Sequence, residues 1–248
     1  MTIAVKRALS LLDLFSESCP EVGLSDAARL SGHDKATVHR LLNTLREAEL
    51  VEQDPASKMY RLGAAVLRLA RVREKTVPLV SVVQPLLDRL TAVTGETSHF
   101  ALYSANAMVV IASGVSPRPN HVSLRSSERL PMNATASGQA FLAFAPADVL
   151  DHVLSQPLQA YTANTAATRE DLMKAVNKAR TSGFALVDKT LDEDVFGIAV
   201  PVFGTKTDVA IGALAVALPC HRVTEPVKTI IISELVAIAR EISRRVGI

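Results

Sequence analysis

Tryptophan is absent from this sequence and cysteine nearly so: Cys19 and Cys220 stand far apart, with no CxxC pair and no histidine nearby at metal-ligand spacing. That excludes a disulfide-stapled scaffold and the common zinc frameworks. No metal or cofactor site is expected, and a reduced, cytoplasmic setting is. Net charge is scarce as well, because 27 Lys and Arg against 25 Asp and Glu leave only +2. The small excess lies in residues 1–76, with 12 basic against 10 acidic residues; residues 77–248 carry 15 of each. Any contact with phosphates must therefore come from a local patch rather than a bulk field. Long apolar runs are missing too. The opening MTIAVKRALSLLDLF resembles a signal segment only superficially, since Asp13 interrupts it and its period is that of an amphipathic helix. No GxSxG, HExxH, P-loop or glycine-rich dinucleotide fingerprint occurs, which removes the best-marked enzyme classes.

What is present is 48% hydrophobic content over 248 residues, enough for two buried cores. The most informative segment is LSDAARLSGHDKATVHRLLNTL, residues 24–45. Ala27, Ala28 and Leu30 give one face of a short helix, Gly32 sits where the chain must turn, and Asp34 is placed to cap a second helix. In that second helix Val38, Leu41, Leu42 and Leu45 recur at helical spacing. Lys35, Thr37, His39, Arg40 and Asn43 are left on other faces. These side chains suit DNA: lysine and arginine engage phosphates or guanine edges, threonine a phosphate or thymine methyl, asparagine an adenine. An ordinary amphipathic hairpin with a solvated polar face is the alternative.

Around this segment the chain reads in two halves. Val5, Ala8, Leu9, Leu12 and Phe15 form an apolar stripe expected to close a three-helix core. LVEQDPASKMYRLG reads as strand, turn and strand, a wing from which Lys58 and Arg61 project toward a backbone, or a plain charged hairpin. Gly63 ends the first domain, residues 1–63; AAVLRLARVREK begins a linker helix within 64–76; and residues 77–248 form an α+β domain. There, a helix ends at Gly95, and SHFALYSA, AMVVIASG and HVSLRS are expected strands. Helices follow at 135–144, 148–155 and 168–182, then strands FALVD, GIAVPVF and VAIGALAVAL, and a closing helix at 224–246 striped by Ile231, Leu235, Ile238, Ala239 and Ile242.

The strings AVKRALSLLDLF, LSDAARLSGHDKATVHRLLNTLREAELVE, YRLG, PMNATASGQAFLA and GIAVPVF occur in an order that resembles the IclR family of bacterial transcription regulators, over nearly the whole chain. The resemblance implies an N-terminal winged helix-turn-helix, a linker helix and a C-terminal effector-binding domain with a GAF-like or PAS-like sheet. It also implies dimers or tetramers on DNA. Lys35, Thr37 and Arg40 match positions that contact bases or phosphates in such proteins, and Arg7 matches a basic position of the first helix. Ala36 stands where relatives usually carry serine, and His33 where leucine is usual.

For the effector, Asn133, Thr135, Ser137 and Gly138 cluster at a helix start that would favour a small carboxylate or would simply cap its own helix. In the family this block, with Ala136, borders the effector cavity; Gln139 replaces a usual lysine. The resemblance also brings in Asp188, Gly197, Ala215 and Ala217, the two alanines replacing ligand-bonding serines of some members. Lys189 and Thr190 fall where acids are usual, and Asp188, Asp192, Glu193 and Asp194 lie close enough for a shifted loop to restore acidity. The cavity is thus expected to be more apolar, suiting an aromatic or longer-chain acid. His99 either points into it or is a satisfied structural histidine. Arg118 and Arg125 flank a loop and are open to a ligand, a neighbouring subunit or water, with water favoured.

The function expected is a ligand-responsive transcription factor, a repressor by preference, in which a homodimer or dimer of dimers binds a pseudo-palindromic double-stranded operator. It needs no membrane. The alternative is an enzyme acting through its C-terminal domain, with the N-terminal unit as an interaction module.

Overall fold

The computed structural model describes residues 3–125, 127–204 and 207–246, and the chain divides into two compact units, residues 1–76 and 77–248. The first contains α1 (Ile3–Ser10), a 3-10 turn (Leu11–Leu14), β1 (Glu21–Val22), α2 (Leu24–Ser31), α3 (Lys35–Glu47), β2 (Val51–Gln53), β3 (Tyr60–Leu62) and α4 (Ala64–Thr76). Its core joins Ala8, Leu11, Ala27, Val38, Leu42 and Tyr60 to their neighbours. Burial of each large apolar side chain here stabilises the unit by about 1.5–3 kcal/mol. The expected linker helix is α4, and it clusters with this unit.

Two expected faces are wrong in part. Val5 and Leu9 are 49% and 47% exposed, whereas Leu11 is fully buried. The cause is local: α1 stops at Ser10, and the tighter turn over Leu11–Leu14 re-aims the side chains beyond it, so a 3.6-residue period cannot be carried through. Leu30 is exposed as well, leaving Ala27 as the buried anchor of α2. The wing holds one strand more than expected, because β1 pairs with β3 through Glu21–Arg61 and Val22–Tyr60, giving the order β1-β3-β2.

The second unit contains α5 (Leu79–Thr94), β4 (Thr97–Ser104), β5 (Ala107–Gly114), β6 (Arg129–Pro131), α6 (Ala136–Leu142), α7 (Ala147–Ser155), α8 (Arg169–Ser182), β7 (Ala185–Asp188), β8 (Val195–Phe203), β9 (Ala210–Pro219) and α9 (Glu225–Val246). Six antiparallel strands run in the order β6-β5-β4-β9-β8-β7. Strand alternation gives the sheet two unlike faces. Phe100, Ile198, Val200, Leu214 and Val216 are large and pack with α5 and α9. Ala101, Ala199, Ala213 and Ala215 are small and face α6 and α8. Small side chains let α6 lie close and leave room beside it.

HVSLRS is not a strand. Residues 121–125 are irregular, Ser126 lies outside the described residues, and the edge strand is β6, paired to β5. Side chains rather than a ladder hold this strap: Thr97 Oγ1 donates to Val122 O at 2.7 Å, and Arg222 Nη2 donates to the carbonyls of Pro119 and Asn120 at 2.8 and 2.9 Å.

Candidate functional site

In the first unit the site is the outer face of α3. Asp34 adopts an extended conformation at the N-cap and its Oδ1 accepts from Thr37 N–H at 2.8 Å, which holds the carboxyl below its usual range. Gly32, at φ 70°, ends α2 in the left-handed region, where its lack of a Cβ removes the steric cost. Val38, Leu41, Leu42 and Leu45 are buried. Geometry then forces Lys35, Ala36, His39 and Arg40 outward, with Thr37 and Asn43 half-exposed. Asn43 Nδ2 lies 3.4 Å from the ring nitrogens of His39, one turn away. No ion pair among the described residues engages Lys35, Arg40, Arg7 or Lys58. Lys58 sits at the tip of the β2–β3 turn, which Asp54 organises by accepting from Ala56 and Ser57 N–H at 2.9 and 2.6 Å. Arg61 differs. Its Nε donates to Glu52 at 2.6 Å and its Nη1 lies 3.6 Å from Glu21, so two carboxylates already hold it.

The second unit holds a partly open cavity of about 210 Å³ between the small-residue face of the sheet and the start of α6. The sheet contributes His99, Gly197, Ala215 and Ala217; α6 and its approach contribute Ala134, Thr135, Ala136 and Ser137. Val122 and Leu124 of the strap also line it. Ser123 between them lines it as well, so the irregular strap does not sort its side chains as a strand would. Val187, Thr190, Leu191 and Asp192 complete a wall.

Most polar groups here are already paired. Thr135 is the N-cap of α6: its hydroxyl accepts from Gly138 N–H at 3.1 Å and donates to Pro131 O at 2.8 Å. Thr190 donates to Ala134 O at 2.6 Å. His99 is 5% exposed, its Nε2 lies 2.9 Å from Ser137 Oγ, and its Nδ1 has no partner. Burial pushes the His99 pKa down to about 4, so the ring is neutral near pH 7. Among the described lining residues the charged side chains are Glu128 and Asp192; none is lysine or arginine.

Three residues expected at the effector site do not line this cavity. Asn133 ties down the connection between α7 and α8, donating to Gln159 O and Ala166 O at 2.9 and 3.0 Å, while its own carbonyl accepts from Gln139. Gly138 permits close packing, since a Cβ there would stand 2.3 Å from Met132 O. Asp188 is exposed on β7 and meets Cys220 Sγ at 3.5 Å. Of the neighbouring acids Asp192 reaches the cavity, two residues beyond Thr190.

Sequence reading misses one constellation. Glu96, 1% exposed, accepts from Arg118 Nη1 at 2.7 Å and from Arg222 Nη1 at 2.8 Å. Arg118, expected to meet water, is half exposed and also pairs with Glu96. No helix among the described residues is long and apolar enough to cross a membrane.

Residues 4–55 match the family model described as the IclR helix-turn-helix domain, and residues 74–244 that described as bacterial transcriptional regulator IclR C-terminal. The HTH-type transcriptional regulator XynR of Escherichia coli K12 is 30% identical over 223 residues, covering 90% of this chain and 88% of that protein. A crystal structure assigned to the IclR regulators, from Silicibacter sp. TM1040, superposes with TM-score 0.91 at 38% identity, covering 98% of this chain and 96% of its own. An IclR homolog from Microbacterium hydrocarbonoxydans complexed with 4-hydroxybenzoate gives TM-score 0.77 at 25% identity, with 97% and 99% covered.

Proposed function

Because this chain belongs to the IclR family of bacterial transcriptional regulators, whose members named above are regulators rather than enzymes, we propose that it represses transcription from a pseudo-palindromic operator as a homodimer or dimer of dimers, under control of a small organic effector. The observation that carries this reading is the outer face of α3. Lys35 and Arg40 project from a helix fixed by four buried apolar residues, and no ion pair among the described residues holds either cation. Lys35, Ala36, Thr37, His39, Arg40 and Asn43 enter the major groove, while Arg7 and Lys58 meet phosphates. Arg61 contributes less than Lys58, since Glu52 and Glu21 already compete for it.

Exposed Val5 and Leu9 on α1 and Leu67, Leu69 and Val72 on α4 supply apolar surface for the two-fold contact. Two recognition helices then address half-sites about one DNA turn apart, roughly 34 Å. The effector occupies the cavity beside α6. The 4-hydroxybenzoate held by the Microbacterium protein is a single substituted ring, and a cavity of about 210 Å³ is of that scale. Effector binding favours one arrangement of the recognition helices over another, and occupation of the promoter excludes transcription.

The test is a mobility shift on fragments from the neighbourhood of the gene, at moderate salt with excess competitor DNA, comparing the wild type with Arg40→Ala. A specific shift lost in a folded variant supports the reading, with a base contact costing about 1–3 kcal/mol. Equal, specific binding by the variant removes α3 as the reader.

A further inference from the structure

We infer that the cavity beside α6 takes an uncharged, single-ring-sized organic molecule bearing one hydroxyl or amide that bonds His99 Nδ1, rather than an organic anion. The inference deepens the effector reading and rests on it. It departs from the carboxylate expected from the sequence, and four observations carry it.

The first is charge. Glu128 and Asp192 are the charged side chains among the described lining residues, and both are acidic. A buried carboxylate needs a partner to offset its lost hydration, and no side chain among the described lining residues offers it a positive charge. The second is the shortage of free polar groups deep in the cavity, where the exposed Ser123 at its rim does not reach the buried His99–Ser137 pair. Thr135 and Thr190 spend their hydroxyl protons on Pro131 and Ala134 carbonyls, and Ser137 is engaged with His99. His99 Nδ1 is the buried side-chain atom left without a partner among the described residues.

The third is the chemistry of that atom. When Ser137 donates to Nε2, Nδ1 carries the ring proton and donates; when Nε2–H donates to Ser137, Nδ1 accepts. A hydroxyl or amide matches either tautomer, whereas a carboxylate only accepts. The ring's neutrality near pH 7, a consequence of burial, leaves an anion no cationic side chain among the described lining residues, only the first-turn N–H groups of the short helix α6. The fourth is size and lining. Val122, Leu124, Leu130, Val187, Ala215 and Ala217 make the walls apolar. An apolar cavity of about 150 Å³ accommodates benzene, so about 210 Å³ admits a ring with one substituent.

The experiment is isothermal titration calorimetry on the full-length protein with near-isosteric pairs: benzamide against benzoate, and 4-hydroxybenzamide against 4-hydroxybenzoate, with 4-methylphenol as a further neutral probe. Two variants locate the binding. Ala217→Leu fills the cavity without touching the polar pair, and His99→Leu removes Nδ1; circular dichroism and melting curves establish that each is folded. The expected result is that each neutral member binds at least about tenfold more tightly than its anion. Ala217→Leu should abolish that binding, and His99→Leu should weaken 4-methylphenol about tenfold while leaving toluene, titrated alongside as its hydroxyl-free counterpart, nearly unchanged. Tighter or equal binding of the anions, lost in Ala217→Leu, overturns the ligand class and leaves the effector cavity standing. Neutral binding that survives Ala217→Leu places the ligand elsewhere and overturns the inference. Absence of binding by every probe to the wild type removes the effector-cavity reading along with it. Should Ala217→Leu fail to fold, Ala215→Val serves the same purpose with one methylene group less.

Discussion

His99 Nε2 stands 2.9 Å from Ser137 Oγ, tying strand β4 of the second unit to the first turn of α6 at the wall of the cavity. The bond fixes the ring, and its burial keeps the imidazole neutral well below its ordinary range, with a pKa of about 4 against 6.5. A depressed histidine pKa has a definite consequence for stability. Between these two values the unfolded chain binds a proton that the folded chain refuses, so stability is intact above pH 6.5 and falls as pH drops toward 4. The loss is on the order of 3 kcal/mol for this one group. Urea denaturation at steps from pH 7 to 4.5 should show that slope in the wild type and a shallower one in His99→Gln. Identical slopes in the two proteins would mean that His99 is not the group titrating.

The Glu96 constellation gives a second prediction. One buried carboxylate bridges Arg118 and Arg222, and Arg222 reaches on to the carbonyls of Pro119 and Asn120 in the strap over the cavity. Arg222 is only 15% exposed, so Glu96→Gln leaves its charge poorly compensated. Removing one partner of a buried pair costs about 3–5 kcal/mol. Arg118, half exposed, should tolerate replacement at under about 1 kcal/mol. Equilibrium denaturation of E96Q and R118A separates the two, and similar losses would deny Arg222 the central place.

Legibility in the sequence tracks the range of the forces involved. The hairpin α2–α3 is readable because Asp34, Gly32 and the spacing of Val38, Leu41, Leu42 and Leu45 act within a few residues of one another. The strand β1 is not, since two residues carry no period and Val22 is fixed by pairing with Tyr60, far along the chain. The same applies to Glu96 and Arg222, which are brought together by the sheet alone. His99 is recognisable as a possible ligand group, but its neutrality depends on burial that no local pattern records. Leu124 shows the opposite failure: its spacing from Val122 suggests a strand, yet both belong, with Ser123 between them, to an irregular segment that lines the cavity.

Asp34 offers a test confined to α3. Its side chain satisfies one of the orphan N–H groups of the first turn, and Asp34→Ala removes that bond. The expected cost is about 0.5–2 kcal/mol, with Asp34→Ser recovering most of it. Operator affinity should fall in parallel, because Lys35 and Thr37 occupy the turn that frays. A variant that loses affinity with unchanged stability would show Asp34 acting on DNA rather than on its helix.

The apolar surface of α4 supplies the last prediction. Leu67, Leu69 and Val72 are each half exposed or more, at 58%, 50% and 55%, on a helix whose buried residue is Ala65. Exposure means that their replacement costs the isolated chain little, within about 0.5 kcal/mol each. If a second copy covers this surface, Leu67→Ser with Val72→Ser should move the protein toward monomer in sedimentation at micromolar concentration without lowering a monomer-referenced melting point. DNA binding reports the same event differently. Two tethered recognition helices gain roughly 10² to 10⁴ in apparent affinity over one, so the doubly substituted protein should lose specific operator binding by a factor in that range while retaining weak, salt-sensitive binding through Lys35 and Arg40. A doubly substituted protein that still sediments as the wild type does, and still shifts the operator, would assign the two-fold contact to other surfaces such as Val5 and Leu9 of α1.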